Sequence, residues 1–340
     1  MFTRQIRIPE PEEIKAEMPL PKEFAALKKS RDEALADVIT GKSDKLIIIV
    51  GPCSAHAEKP VLDYLEKLGK LNERVKDKLV LVPRIYTNKP RTRGVGYKGM
   101  FSQPDPTKKE DILKGIQLIR ETNIKAMEVS GLTAADEMLY PANYEYVDDL
   151  LSYVAVGARS SENQLHRLVS SGIDGAVGFK NPMSGSVAVL LNSIYAAQSG
   201  QIFKLNGWQV KTEGNPLAHA ILRGAVDGYG NNIPNFHYET VMQVIEGYSN
   251  SGLKNPAIII DANHSNSGKK FKQQIRICDE VMNNRLYDAD FKRYVKGFMI
   301  ESFLEEGNQT EDVVYGKSIT DPCLGWCDTE RLLLDVADKV

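Results

Sequence analysis

Short unbroken runs of aliphatic and β-branched residues alternate along this chain with longer stretches whose apolar positions recur every three or four residues. Leu46–Val50 is the first such run and predicts a strand; Val61, Tyr64, Leu65, Leu68 and Val75 then fall on one face of a helix near residues 60–76. Leu79–Arg84 predicts a second strand, after which Thr107 can cap a helix carrying Ile112, Ile116 and Ile119. Lys125–Val129 reads as a third strand with a helix over Tyr144–Leu151. Val154–Ala158 reads as a fourth, with a helix near 162–171 that stops at Gly172. Gly175–Lys180 is the fifth, with a helix near 184–198 that stops at Gly200. Ile202–Leu205 opens a sixth unit whose helix is delayed to about 238–250, and a hairpin-like stretch near 208–223 fills the gap. Ala257–Asp261 is the seventh strand, with a helix near 269–284. Lys296–Glu301 is the eighth, before a last helix over Asp328–Asp338 with Asp328 as its cap.

Eight βα units in about 300 residues predict an α/β protein of the closed (β/α)8 TIM-barrel type, with an N-terminal extension and an inserted hairpin after strand six. An open doubly wound sheet is the alternative. The strands are continuously apolar rather than alternating, as parallel strands covered by helices on the outside require. Residues 1–40 lie outside the repeat and form an N-terminal arm: Pro9–Pro21 is rich in proline and charge and predicts an extended segment leading to a helix near 22–40. The barrel then occupies residues 41–340.

Charge and composition narrow the function. With 43 Lys and Arg against 45 Asp and Glu, the net charge of −2 argues against a nucleic-acid binder or a membrane-surface protein, both of which need a basic excess. The longest aliphatic runs, Leu46–Val50 and Ala257–Ile260, are far below the roughly 18 residues that cross a bilayer, and the start of the chain lacks the apolar core of a signal peptide. Cys53, Cys278, Cys323 and Cys327 are too sparse for a disulfide scaffold, so a reducing cytoplasm is expected.

The chemistry-bearing residues sit where predicted strands end, which is where a barrel builds its active site. One set is cationic: Arg84, Lys89, Arg91, Arg159, Lys180 and Arg223. Six cations at one mouth repel each other unless polyanions join them, and guanidinium forks match phosphate and carboxylate oxygens. The bland reading of any one of them is a barrel-end salt bridge; all six at strand ends point to ligands with more than one phosphate. The second set is Cys53, His264, Glu301 and Asp321, a thiolate, an imidazole and two carboxylates suited to a divalent transition metal. The bland reading of Cys53 is a small buried residue, and no local CxxC or HExxH supports the set. Gly94-Val-Gly96-Tyr-Lys-Gly99 matches G-x-G-x-x-G, but no strand directly precedes it and no helix start follows, so it is not a dinucleotide loop. Cys323-x3-Cys327 reads as a packed helix entry, and His166, His219 and His237 as helix or loop residues.

Seven ordered motifs carry a family resemblance: Gly51-Pro-Cys53-Ser, Lys89-Pro-Arg91-Thr92, Gly157-Ala158-Arg159, Gly178-Phe179-Lys180-Asn181, Ile221-Leu222-Arg223-Gly224, Glu301-Ser302 with Glu306-Gly307-Asn308-Gln309, and Tyr315-Gly-Lys-Ser-Ile-Thr-Asp321. Over about residues 40–335 the chain resembles the feedback-regulated class I 3-deoxy-D-arabino-heptulosonate 7-phosphate (DAHP) synthases. The resemblance implies a transferase that condenses phosphoenolpyruvate with erythrose 4-phosphate at the head of the shikimate pathway, using a divalent Mn, Fe, Co or Zn ion. It implies metal ligation by Cys53, His264, Glu301 and Asp321, and phosphoenolpyruvate binding by Arg84, Lys89, Arg159, Lys180 and Arg223 together with Ala158. It implies contacts from Arg91 and Thr92 to the erythrose phosphate, with Lys89, Cys53 and His264 as the catalytic group. Lys89 is the candidate to protonate the nascent alkoxide. The arm and hairpin are implied to form the pocket for a phenylalanine or tyrosine effector, in a homotetramer or homodimer. Two alternatives remain: a related phosphoenolpyruvate-using barrel synthase acting on a five-carbon sugar phosphate, and a sugar-phosphate sensor, which would not need a metal beside the phosphates.

Overall fold

The computed structural model describes residues 1–91, 94–311 and 313–340. Eight parallel strands lie side by side: one, Leu46–Gly51; two, Leu79–Pro83; three, Ala134–Glu137; four, Leu151–Val156; five, Ala176–Lys180; six, Ala218–Leu222; seven, Ile258–Asp261; and eight, Val295–Glu301. Strand one pairs with two and eight, and the pairing continues through seven, six, five and four to three. A parallel bridge from Arg84 to Ala135 joins the two remaining edges and closes the cylinder. Alternation of side chains divides the apolar residues between two cores. Ile47, Ile49, Val80, Val82, Ala155, Ile221, Ile259 and Met299 fill the interior, and helix α2 (Lys22–Ile39) adds Leu35, Val38 and Ile39. Leu46, Ile48, Val50 and Leu81 point outward against helices such as α3 (Glu58–Val75), which buries the face formed by Val61, Tyr64, Leu65, Leu68 and Val75.

Several elements differ from the sequence expectation. Lys125–Val129 is not a strand; it ends helix α4, Ile112–Ser130, which buries Ile116, Ile119, Asn123, Ala126 and Met127 at helical spacing and stops at Gly131 with φ of 64°. The true third strand, Ala-Ala-Asp-Glu, lacks the β-branched residues that mark a strand. Asp111, not Thr107, caps α4 by accepting from the Lys114 amide at 3.1 Å, while Thr107 donates to Asp105. Tyr144–Leu151 holds no α-helix, because a 3-10 turn at Pro141–Tyr146 leaves little chain before strand four.

Ile202–Leu205 is not the sixth barrel strand. It pairs antiparallel with Trp208–Lys211 across Asn206-Gly207, both at positive φ (43° and 87°), the residue pair that tight hairpin turns favour. The insertion is therefore a hairpin over 202–211 that precedes strand six, and residues 218–222 are the barrel strand. The last helix, α11, runs Trp326–Asp338 with Gly325 at its cap, and Asp328 sits in its first turn. The proline-rich arm contains a short helix, α1 (Pro11–Glu17), started by a reciprocal Glu10–Glu13 capping box.

At the barrel axis, His219 of strand six is fully buried, with Nε2 2.7 Å from the Tyr153 hydroxyl and Nδ1 2.8 Å from the Leu217 carbonyl. Burial pushes this imidazole down to about 4. The unfolded chain takes up a proton near pH 6.5, whereas the folded chain resists until about 4. The contribution is thus complete above pH 6.5 and lost as the pH falls toward 4, on the order of 3 kcal/mol. Urea unfolding at pH 7 and 4.5 should show a shallower pH slope for His219→Gln than for the parent chain; identical slopes would contradict the assignment.

Candidate active site at the carboxyl ends of the strands

Strand order dictates which side chains meet. Strands one and eight are neighbours with Gly51 opposite Glu301, so the turn after strand one sets Cys53 beside Glu301. The segment after strand eight returns by a bridge from Ser302 to Leu324 and brings Asp321 to the same place. One ligand atom from each of Cys53, Glu301 and Asp321 lies within 4.8 Å of the other two. His264 opens the short helix α8 (His264–Ser267) at a positive φ of 49°, an uncommon conformation for a non-glycine residue that is found at functional sites. Its Nε2 is 3.8 Å from Glu301 Oε1, and its Nδ1 is 2.8 Å from Asp261 Oδ2. The histidine therefore flanks the trio rather than completing the tight group.

The surrounding shell holds these ligands in place. Arg84 donates from Nη2 to Glu301 Oε1 at 2.7 Å, with each side chain 1% exposed, and lies over the Tyr86 ring at 3.7 Å. Asn263 donates to the other Glu301 oxygen at 2.6 Å. Burial works against the Glu301 carboxylate, but Arg84 and then His264 outweigh it and hold the group below the usual carboxylate range. Asp261, wholly buried, bridges His264 and Lys180, the latter at 3.2 Å; burial opposes its charge, and those two partners more than offset it. Burial, and then Glu301, pushes the Cys53 thiol up. A sulfur and two carboxylates gathered within 4.8 Å, with an imidazole beside them, fit a divalent transition cation, whose charge would reverse that effect on the thiol.

The six predicted cations all line one cavity of about 460 Å³, together with Cys53, Ala158, His264 and Asp321. Lys180 is fixed by Asp261, and Arg84 is committed to Glu301. Among the described residues, Lys89, Arg91, Arg159 and Arg223 have no carboxylate within 4.0 Å. Lys89 Nζ is instead 3.3 Å from Cys53 Sγ, and Arg91 Nε donates to the Tyr97 carbonyl at 2.7 Å. Arg223 donates to Ser265 at 3.2 Å; burial lowers it, Asp261 opposes and Arg159 adds to the lowering. Its backbone amide is held by Asn181 at 2.9 Å. Gly224 then turns with φ of 77°, where a Cβ would stand 2.7 Å from Ser265 Cβ. Thr92 lies outside the described residues.

Three charged residues of the cavity and its shell, Glu137, Lys269 and Asp261, were given no role in the sequence reading, which named Asp261 only as the end of strand seven. Glu137 lines the cavity but belongs to the strand that the sequence displaced. Lys269 pairs with Asp321 at 3.1 Å from the turn that follows the short helix His264–Ser267, a segment that carries no motif. Asp261, an acid ending an apolar strand, did carry a legible signal. Of the isolated histidines, His166 lies between Asn163 and the Leu139 carbonyl, and His237 contacts Glu280 at 2.8 Å. His56 is buried against Phe303.

The comparisons with known proteins extend beyond the barrel into the N-terminal arm. The family model described as the DAHP synthetase I family matches residues 17–334. The chain is 38% identical over 339 residues to the Trp-sensitive phospho-2-dehydro-3-deoxyheptonate aldolase of Enterobacter agglomerans, covering 97% of this chain and 94% of that one. It is 36% identical over 351 residues to the Phe-sensitive enzyme of Escherichia coli K12, covering 98% and 97%. The solved structure of a phospho-2-dehydro-3-deoxyheptonate aldolase from Francisella tularensis superposes with a TM-score of 0.90 at 30% identity, covering 100% of this chain and 98% of that one.

Proposed function

The chain belongs to the DAHP synthetase I family, and from that premise we propose that its rim condenses phosphoenolpyruvate with erythrose 4-phosphate and water, giving DAHP and phosphate. The observation that carries this reading is one cavity in which four cations, without carboxylate partners among the described residues, face a Cys-Glu-Asp cluster flanked by His264. Two phosphorylated substrates supply the anions that such a mouth lacks. No helix among the described residues is long and apolar enough to cross a membrane, and the four cysteines are free, which supports a reducing cytoplasmic setting.

In this reading Arg159, Lys180 and Arg223, with the Ala158 backbone, grip the phosphate and carboxylate of phosphoenolpyruvate, and Arg84 walls the cavity while fixing Glu301. Arg91 and Thr92 hold the phosphate of the sugar. The proximity so gained aligns carbon 3 of phosphoenolpyruvate with the aldehyde carbon. The new bond forms between those carbons. Water adds at carbon 2, and phosphate leaves with cleavage of the C–O bond. Lys89 donates the proton that the nascent alkoxide takes up. A divalent Mn, Fe, Co or Zn ion held by Cys53, Glu301, Asp321 and His264 supplies Lewis acidity at the aldehyde oxygen when bound.

Lys89→Met should lower kcat by roughly 100-fold or more, within the range of general-acid contributions, with little change in the KM for phosphoenolpyruvate. Unchanged kcat would remove Lys89 from that role. Offering erythrose 4-phosphate and a five-carbon sugar phosphate to the Mn-loaded protein tests the substrate: the four-carbon aldehyde should be favoured about 100-fold in kcat/KM. Equal or faster phosphate release with the five-carbon sugar would overturn the assignment.

The arm, the 3-10 turn and the hairpin converge on one flank: Tyr146 donates to the Pro9 carbonyl at 2.8 Å, Lys15 pairs with Asp148 at 3.1 Å, and Asn206 donates to the Ala142 carbonyl at 3.2 Å. This convergence supports an N-terminal regulatory arm, residues 1–40, that forms a phenylalanine or tyrosine effector pocket with the hairpin, in a homotetramer or homodimer.

A further inference from the structure

The end of the barrel opposite the rim gathers positive charge a second time. Lys45 precedes strand one and Lys296 is the second residue of strand eight, while α9 (Gln273–Tyr287) supplies Arg285 and α10 (Ala289–Tyr294) supplies Lys292 and Arg293. These five cations line one cavity of about 420 Å³ in which, among the described residues, Asp44 is the single acid. Among the described residues none of the five has a carboxylate within 4.0 Å. Arg285 is only 5% exposed. Its Nη1 is fastened to the carbonyls of Lys292, at 2.8 Å, and Val295. Its Nε and Nη2 make no hydrogen bond among the described residues yet are not sealed from solvent, so the free edge of the fork is left to the cavity it lines.

Five like charges around one acid destabilise the folded chain by mutual repulsion unless an anion joins them. Burial lowers Arg285 to about 10, and burial followed by Arg285 lowers Lys296. An anchored guanidinium edge ringed by ammonium groups matches phosphate oxygens. The remaining wall is Thr40, Gly41 and Ala289, with no aromatic surface for a base or ring. We propose that this cavity is a second anion site, separate from the rim, that binds a small multiply charged phosphate anion of the diphosphate class through its phosphate groups alone.

Inorganic pyrophosphate is the probe, titrated calorimetrically into the full metal-free chain at fixed ionic strength. The parent protein should show two classes of site, since the rim also takes phosphates. Lys292→Gln/Arg293→Gln changes two exposed side chains and should weaken one class at least tenfold while leaving kcat/KM of the metal-loaded enzyme within about twofold. Arg159→Gln should weaken the other class instead. An isotherm for the lower-face pair that superimposes on the parent would overturn the proposal. ADP binding at this site no tighter than pyrophosphate supports recognition of the phosphates alone; ADP binding more than tenfold tighter overturns it.

Discussion

Arg84→Met lowers the unfolding free energy by about 3–5 kcal/mol, because it strands Glu301 as an unpaired charge in the barrel wall. The pair is among the most enclosed in the molecule, 2.7 Å apart with each partner 1% exposed. Arg84 also donates to the Pro52 and Cys53 carbonyls and covers the Tyr86 ring. Removing the guanidinium therefore takes away the counter-charge that keeps Glu301 ionised and the clamp that positions the strand-one turn. In urea titrations Arg84→Met/Glu301→Gln should be less destabilised than the sum of the two single changes, since the second removes the stranded charge. A loss below about 1 kcal/mol for Arg84→Met would show that the pair is not the buried clamp described.

Cys53→Ala should leave the fold nearly intact and remove function. The side chain is small and buried, so truncation costs the fold little beside what the site loses. Changes to residues that merely support a metal ligand commonly lower affinity or activity 10–100-fold, and loss of a ligand itself should exceed about 100-fold in kcat/KM. The bound-metal content should fall with it, measured by atomic emission after dialysis against Mn2+. Full metal content together with full turnover would remove Cys53 from the ligand set.

Much of the fold was legible because parallel strands covered on both faces read as unbroken aliphatic runs, as Leu46–Val50 and Leu79–Val82 do. The reading failed where that signal weakened. Ala134–Glu137 has no β-branched residue, so the helix end Lys125–Val129 took its place. Ile202–Leu205 looks like a strand and is one, but the Asn206-Gly207 turn sends it into a hairpin instead of the barrel. The rim survived both errors. Most of its residues are fixed by motifs at the ends of strands one, two, four, five, seven and eight, and Arg223, at the end of the misplaced strand six, came through its own motif, Ile221-Leu222-Arg223-Gly224; adjacency of strands one and eight in a closed cylinder follows from the fold class. What stayed hidden was the pairing behind the rim. That Arg84 is committed to Glu301, and that Asp261 holds both Lys180 and His264, are facts of three-dimensional approach with no fixed spacing in sequence.

An anomalous difference map from crystals of the full chain soaked with Mn2+ and phosphoenolpyruvate tests the central claim most directly. One strong peak should stand among Cys53 Sγ, Glu301, Asp321 and the His264 ring, with the phosphate of phosphoenolpyruvate against Arg159, Lys180 and Arg223. A cation bound elsewhere while those four side chains keep their present positions, or a phosphate that ignores the rim cations, would contradict it.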